Sequence, residues 1–257
     1  MDGSTFFVVV SPSSRGQKYK KMKKKTLIII LSVVCLALLT MVIFIGGYKT
    51  NFFNRQFVKL GWVKERTPTD CSLEGWYNCL KKLNIDVDVV FYGASHTTYS
   101  DFRNYFSNLS ICNLGRPSDN LNQLTSRAYT IESVNPEKVF VQGTANGLKK
   151  TSTDDFKRQY EQMIIAIQKA VPEAKIYLQS ILPVVPDPRR ASNEKIRKCN
   201  QIIDTLAHKY NCTYVDIYHI YERGGRLNPE YVKEDSAHFY PEHYDKWAEI
   251  IRPYIYN

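Results

Sequence analysis

Five short apolar runs recur between residues 87 and 216, and longer stretches with helical spacing separate them. The runs are Val87–Tyr92, Ser110–Leu114, Lys138–Gln142, Lys175–Gln179 and Thr213–Asp216. Most are rich in Val, Ile, Tyr or Phe, and several are almost continuously apolar, as strands buried on both faces must be. Between and after them, apolar residues fall at helical intervals over Asn120–Ser133, Asp154–Ala170, Asn193–Tyr210 and Pro241–Tyr254. Asp119 and Thr153 stand where N-caps belong, and Pro241 suits a first helical turn. Strands that alternate with helices predict a parallel sheet covered on both faces. No internal repeat is visible. In such a sheet ligands bind outside the carboxyl ends of the strands, so the residues after each run are where function should be sought.

The remainder of the chain constrains where this domain works. The 257 residues leave room for one tail, one anchor and one domain of about 200 residues, large enough to fold without a metal or disulfide staple. The net charge of +10 suggests nucleic acid until it is located. Residues 1–25 carry seven Lys or Arg against Asp2 alone, which leaves 28 basic and 24 acidic residues for everything after them. A domain so nearly balanced does not predict a phosphate-backbone partner. The basic tail instead precedes Thr26–Tyr48, an uncharged apolar run. At 1.5 Å per residue such a run spans a bilayer core of about 30 Å. The positive charge should hold residues 1–25 in the cytoplasm and place the C-terminal domain outside, single-pass. A cleaved signal peptide is the rival reading. It suits the run less well, which is longer than a signal core and exits through Ile45-Gly46-Gly47-Tyr48 without a small-x-small site. The expected organisation is therefore a tail (1–25), a signal-anchor (26–48), a connector (49–70) and a domain (71–257). Six cysteines show no metal spacing. Cys71–Cys79 and Cys199–Cys212 could pair outside the cell, or each could be a small buried hydrophobe.

Two short segments carry chemistry. The first run ends in Gly93-Ala94-Ser95-His96. A Ser placed there, behind a Gly, stands at the head of a helix whose backbone N–H groups can stabilise developing negative charge. Near the other end, Asp235-Ser236-Ala237-His238 puts a carboxylate three residues before an imidazole. A local turn can aim Asp235 at one ring nitrogen and leave the other for the Ser95 hydroxyl. Either segment alone is commonplace, as a helix cap or a surface turn; together they make a candidate triad.

At these residues the sequence resembles the SGNH, or GDSL-like, hydrolases. VVFYGASHT is similar to the family's first block, and Asn113-Leu114-Gly115 to its second. Gly143-Thr144-Ala145-Asn146 is similar to the third, and DSAHFYPEHYDKWAEIIRPYI to the fifth. The resemblance runs from Asp86 to Tyr254 with the blocks in order. It implies a three-layer α/β/α sandwich with a five-stranded parallel, flavodoxin-like sheet, and ester chemistry through an acyl-serine. It also implies roles: Ser95 as nucleophile, Asp235 and His238 as its partners, and an oxyanion hole from the N–H groups of Ser95 and Gly115 with the Asn146 amide. No cofactor and no metal are implied. Ala94 and His96 depart from the usual G-D-S-L. The usual G-x-N-D would put Ala145 at the Asn position, so either the turn is one residue longer and Asn146 supplies the donor, which is the reading favoured, or that donor is missing. His96 reads best as a solvated helix-start residue. The Leu182–Arg190 loop borders the same sheet edge, and Arg189 and Arg190 read better as solvated than as contacts for an acidic substrate. The expected function is an anchored serine esterase acting on an acylated small molecule or glycan, such as an O-acetylated one. An acyltransferase with the same triad and a non-catalytic glycan-binding domain remain as alternatives.

Overall fold

The strand β1, Val87–Gly93, is the centre around which the domain is built. Four parallel neighbours complete its sheet: β2 (Ile111–Gly115), β3 (Pro136–Gln142), β4 (Lys175–Gln179) and β5 (Thr213–Val215), in the order β2-β1-β3-β4-β5. In this computed structural model the residues described are 73–233, 235 and 237–257, with 26, 31–34, 36 and 40 upstream. The chain divides into two compact units, Met1–Thr67 and Pro68–Asn257. Among the described residues no helix is long and apolar enough to cross a membrane. Most of the apolar run 26–48, the basic tail 1–25 and the connector 49–70 lie outside the described residues.

Period-two alternation along the strands feeds two separate cores. Val90, Tyr92, Val139, Val141 and Leu178 face one layer of helices. That layer holds α1 (Leu73–Leu83), α3 (Leu121–Ser126), α4 (Thr153–Ala170) and α5 (Asn193–Lys209). Val89, Phe91, Phe140 and Tyr177 face the other side, where Phe102, Trp247, Ile251 and Ile255 cover them. The last three belong to α6 (Asp245–Tyr256). Phe91, Phe140 and Trp247 are 0–1 % exposed, and full burial of such side chains stabilises by about 1.5–3 kcal/mol each. The result is the expected five-stranded parallel α/β fold.

Several local expectations are corrected. The helix over 120–133 is only six residues of α-helix followed by a 3-10 segment, Ala128–Val134. Its cap is Asn120 rather than Asp119: Asn120 and Gln123 form a reciprocal capping box, while Asp119 is drawn into the interior. Ser152, not Thr153, caps α4, its hydroxyl accepting from the Asp155 N–H. The helix α1 and the small hairpin β6 (Glu222–Arg223) and β7 (Arg226–Leu227) were not expected. Cys79, Cys199 and Cys212 are free thiols, so neither suggested disulfide forms. Burial pushes Cys199 and Cys212 up to about 11, as befits inert core thiols.

Candidate active site

The carboxyl ends of β1, β2 and β3 meet at one edge of the sheet, and the structure packs them tightly there. Gly93 closes β1 where a Cβ would lie 2.2 Å from the Thr97 hydroxyl. The chain can therefore fold directly back into α2 (Ser95–Tyr99). Ser95 thus opens a short helix at the sheet edge, with its side chain in a cleft of about 320 Å³.

The loop 235–238 supplies the two other candidate groups. The Ser95 hydroxyl lies 2.9 Å from His238 Nε2, and the Nδ1 of the same ring lies 2.5 Å from Asp235 Oδ2. Asp235 is fixed by its second oxygen, which accepts from the N–H groups of Ala237 (2.8 Å) and His238 (2.9 Å). Partial burial works to raise the Asp235 pKa. The hydrogen bonds from the His238 N–H, the His238 ring and the Ala237 N–H outweigh it and hold the carboxyl at about 2. Asp235 therefore stays ionised, which orients the imidazole with Nδ1 protonated and Nε2 facing the serine. Residues 143 apart in sequence meet here, as the sequence predicted from two unremarkable motifs.

His96 is no solvated residue. It lines the cleft, with its ring centroid 5.3 Å from that of His238, 4.7 Å from Phe239 and 6.4 Å from Tyr244. The Tyr244 hydroxyl lies 3.4 Å from its Nδ1. Burial first, and the nearby His238 second, push His96 down to about 3, so its ring is neutral beside the triad. The Tyr99 ring stands nearly perpendicular to that of His238, with centroids 4.9 Å apart.

Gly115 does not hold the place expected of it. Its N–H donates to Asn113 Oδ1 at 2.9 Å, and it does not line the cleft. Gly is needed there because α2 presses against β2: a Cβ would come within 2.4 Å of the Thr98 nitrogen. Asn113 completes this clamp by donating to the carbonyls of Thr97 (2.7 Å) and Ser100 (3.1 Å). The residue of this loop that borders the cleft is Ser118, held at φ 69°, in the left-handed region. Asn146 does line the cleft, and its amide donates to the Asp119 carbonyl at 3.0 Å, which leaves one N–H for a ligand.

Below the cleft lies a pair that the sequence did not reveal. Arg127 and Asp119 are both 2 % exposed and 2.5 Å apart. The same guanidinium donates to the carbonyls of Leu114 (2.9 Å) and Gly93 (2.8 Å) and lies over the Tyr92 ring. The Asp119 carbonyl in turn receives the Thr144 hydroxyl and the Asn146 amide. One buried arginine thus joins the ends of β1 and β2 to the loop after β3. On the opposite wall, Asn193 and Asn200 of α5 hold the proline-rich segment by paired amide bonds. Asn200 exchanges bonds with Ile181 and Asn193 with Val184, at 2.8–3.0 Å. The available signal was two asparagines seven apart on the same face as Ile196 and Ile203. Arg190 also lines the cleft and reaches the Asp235 carbonyl at 3.4 Å, whereas Arg189 pairs with Asp187 and is 86 % exposed.

A parallel sheet carrying a Ser–His–Asp chain at its carboxyl edge defines the architecture of a serine-type hydrolase. The chain belongs to the GDSL-like lipase/acylhydrolase family, whose family model matches residues 73–246, and it is an ester-hydrolysing enzyme. Solved structures share the fold at low sequence identity. A Streptococcus pneumonia protein described as a platelet activating factor superposes with a TM-score of 0.64 at 21 % identity, covering 82 % of this chain and 99 % of its own. A GDSL-like lipase from Bacteroides thetaiotaomicron gives 0.57 at 24 % identity, with 66 % and 87 % covered. Axe2, an acetyl xylan esterase from Geobacillus stearothermophilus, gives 0.54 at 14 % identity, with 67 % and 96 % covered. Among curated proteins none matches the chain.

Proposed function

We propose that the protein is a membrane-anchored serine esterase that removes acyl groups, such as acetyl, from an extracytoplasmic glycan. Ser95 Oγ attacks the ester carbonyl while His238 Nε2 takes its proton, and Asp235 stabilises the imidazolium that forms. The tetrahedral oxyanion is met by the Ser95 N–H, by the Asn146 amide and, in place of Gly115, by the N–H of Ser118. His238 then protonates the departing alkoxide, leaving an acyl-serine. Water, deprotonated by the same nitrogen, releases the acid and restores Ser95. The observation that carries this reading is the continuous path from Ser95 through His238 to Asp235, 2.9 Å and then 2.5 Å.

The anchor is supported by the apolar run 26–48 behind seven basic residues, which favours a cytoplasmic N-terminus and an outward-facing domain. An outward-facing domain meets glycans, and the Axe2 neighbour is by its description an acetyl xylan esterase. The experiment is hydrolysis of p-nitrophenyl acetate by the detergent-solubilised full chain beside its Ser95→Ala variant. Activity that falls at least about 10⁴-fold in the variant supports the reading. Equal rates in both would refute it. Recovery of the full chain in the soluble fraction of lysed cells would overturn the anchor.

A further inference from the structure

A second, smaller pocket of about 90 Å³ adjoins the cleft, with Thr144 and Asn146 forming the partition between them. Its far walls come from the start of α3 and the inner part of α4, through Asn120, Asn122 and Gln159. Thr151 closes one side, and the buried residues Leu148 and Phe156 lie at its base. None of the residues around it is ionisable. Its polar groups are carboxamides and hydroxyls only.

The hydrogen-bonding capacity left over is what identifies the ligand. Thr144 has spent its proton on Asp119 O and one lone pair on the Asn146 N–H, so it offers at most one acceptor position. Asn120 has given its oxygen to the Gln123 N–H, so what it offers is its amide N–H₂. Thr151 has given its proton to the Gly147 carbonyl, so it offers an oxygen. The side chains of Asn122 and Gln159 take part in no hydrogen bond with other described residues, so each presents both a donor and an acceptor. Such a set offers donors and acceptors in similar number and no charge. A phosphate or carboxylate would use only the donors and would find no cation. An ammonium would use only the acceptors and find no carboxylate. A hydroxyl group, which gives and accepts at once, uses both. The volume equals about three waters, the size of a hydroxymethyl arm with the hydroxyl beside it.

We propose that this pocket is a sugar subsite, which seats hydroxyls of a carbohydrate while the ester on that carbohydrate lies at Ser95. The inference deepens the esterase reading above and rests on it. Asn122 and Gln159 are its specificity-determining residues, and neither contributes to the triad or to the brace beneath it.

The test compares two esters of the same shape, 6-O-acetylglucose and cyclohexylmethyl acetate, with p-nitrophenyl acetate as the reference. A site built to hydrogen-bond hydroxyls discriminates strongly against the analogue that lacks them. The full chain is expected to show kcat/KM at least about tenfold higher on the sugar ester. In Asn122→Ala, Gln159→Ala and the double variant, the ratio of sugar ester to cyclohexylmethyl ester should fall towards one. Both residues sit on helices, where Ala is well tolerated, and a thermal melt verifies folding. A ratio near one in the unsubstituted protein, or a high ratio that survives in the double variant, overturns the subsite and leaves the esterase intact. Failure to hydrolyse p-nitrophenyl acetate in a Ser95-dependent way overturns the esterase reading itself, and the subsite falls with it.

Discussion

Two acid–base pairs of the same 2.5 Å separation lie close to the cleft, and they are built for opposite ends. Asp119 and Arg127 are each 2 % exposed, whereas the Asp235 and His238 side chains are 48 % and 24 % exposed. The first joins a base that never gives up its proton to an acid sealed from water. The further bonds of Arg127 all go to backbone carbonyls at strand ends, and Asp119 has one longer contact, with Arg116 at 3.9 Å, so the pair serves to hold. The second joins an acid to an imidazole that keeps one nitrogen on the cleft, toward the Ser95 hydroxyl. Its fixing bonds are local, from the N–H groups of Ala237 and His238. Burial decides which pair is scaffold and which is chemistry. Ser95 is held at the end of the sheet's central strand, while His238 is held by its own short loop.

The largest effect should come from breaking the exposed pair. Asp235→Asn keeps an oxygen able to accept from the two loop N–H groups, so the loop should keep its shape. The amide would favour the wrong imidazole tautomer, and a loss of about 10⁴-fold in kcat is expected. Stability should change little, since the group is half exposed. A melt within a few degrees of the parent, together with the loss in kcat, is the outcome that sustains the comparison. A variant that unfolds would show the loop pair to be structural after all.

Breaking the buried pair should do the reverse. Arg127→Met leaves the buried Asp119 charge only its longer contact with Arg116 and removes donors from Gly93 and Leu114, at a cost of about 3–5 kcal/mol. Denaturant unfolding measures it. Restoring much of that stability by adding Asp119→Asn would show that the stranded charge is the main cost. Next in size is Asn200→Ala, which leaves the Ile181 N–H and carbonyl unpaired in the interior. About 1–3 kcal/mol is expected. The proline-rich wall of the cleft should loosen with it, seen as a rise in KM larger than any fall in kcat.

The same contrast explains what could be read from the sequence. The strand β4 coincides with its apolar run, Lys175–Gln179, because double-sided burial writes itself into composition. The meeting of Ser95, Asp235 and His238 was legible because the proposed roles each demand a particular side chain. Gly115 was misread because an oxyanion donor is a main-chain N–H, and its direction depends on turn geometry rather than residue type. The helix cap was misread for a related reason. Asp119 suits an N-cap locally, but Arg127, eight residues on, offers a stronger partner inside the fold, and Asn120 takes the cap instead. His96 looked like a solvated residue because nothing in its neighbourhood in sequence foretells Phe239 and Tyr244.

His96 offers an intermediate case between the two pairs, and a smaller expected effect. It is neutral, it stands next to Ser95, and it packs on the loop that carries His238. The groups facing it are His238 and Asp235 from the loop, Tyr244 ahead of α6, and Arg190 from the proline-rich wall. A neutral ring at this point fills space without opposing the positive charge that His238 would acquire in the proposed mechanism. His96→Ala should lower kcat about tenfold by freeing the loop. His96→Gln, which keeps a hydrogen-bonding group for Tyr244, should recover part of that loss. His96→Lys should do more harm than Ala, and the acid limb of its pH–rate profile should move to lower pH, because a charged lysine beside His238 disfavours the imidazolium. The reference for that shift is the Ala variant, which lacks the added charge. An acid limb that stays in place across the three variants would show that His96 acts by packing alone.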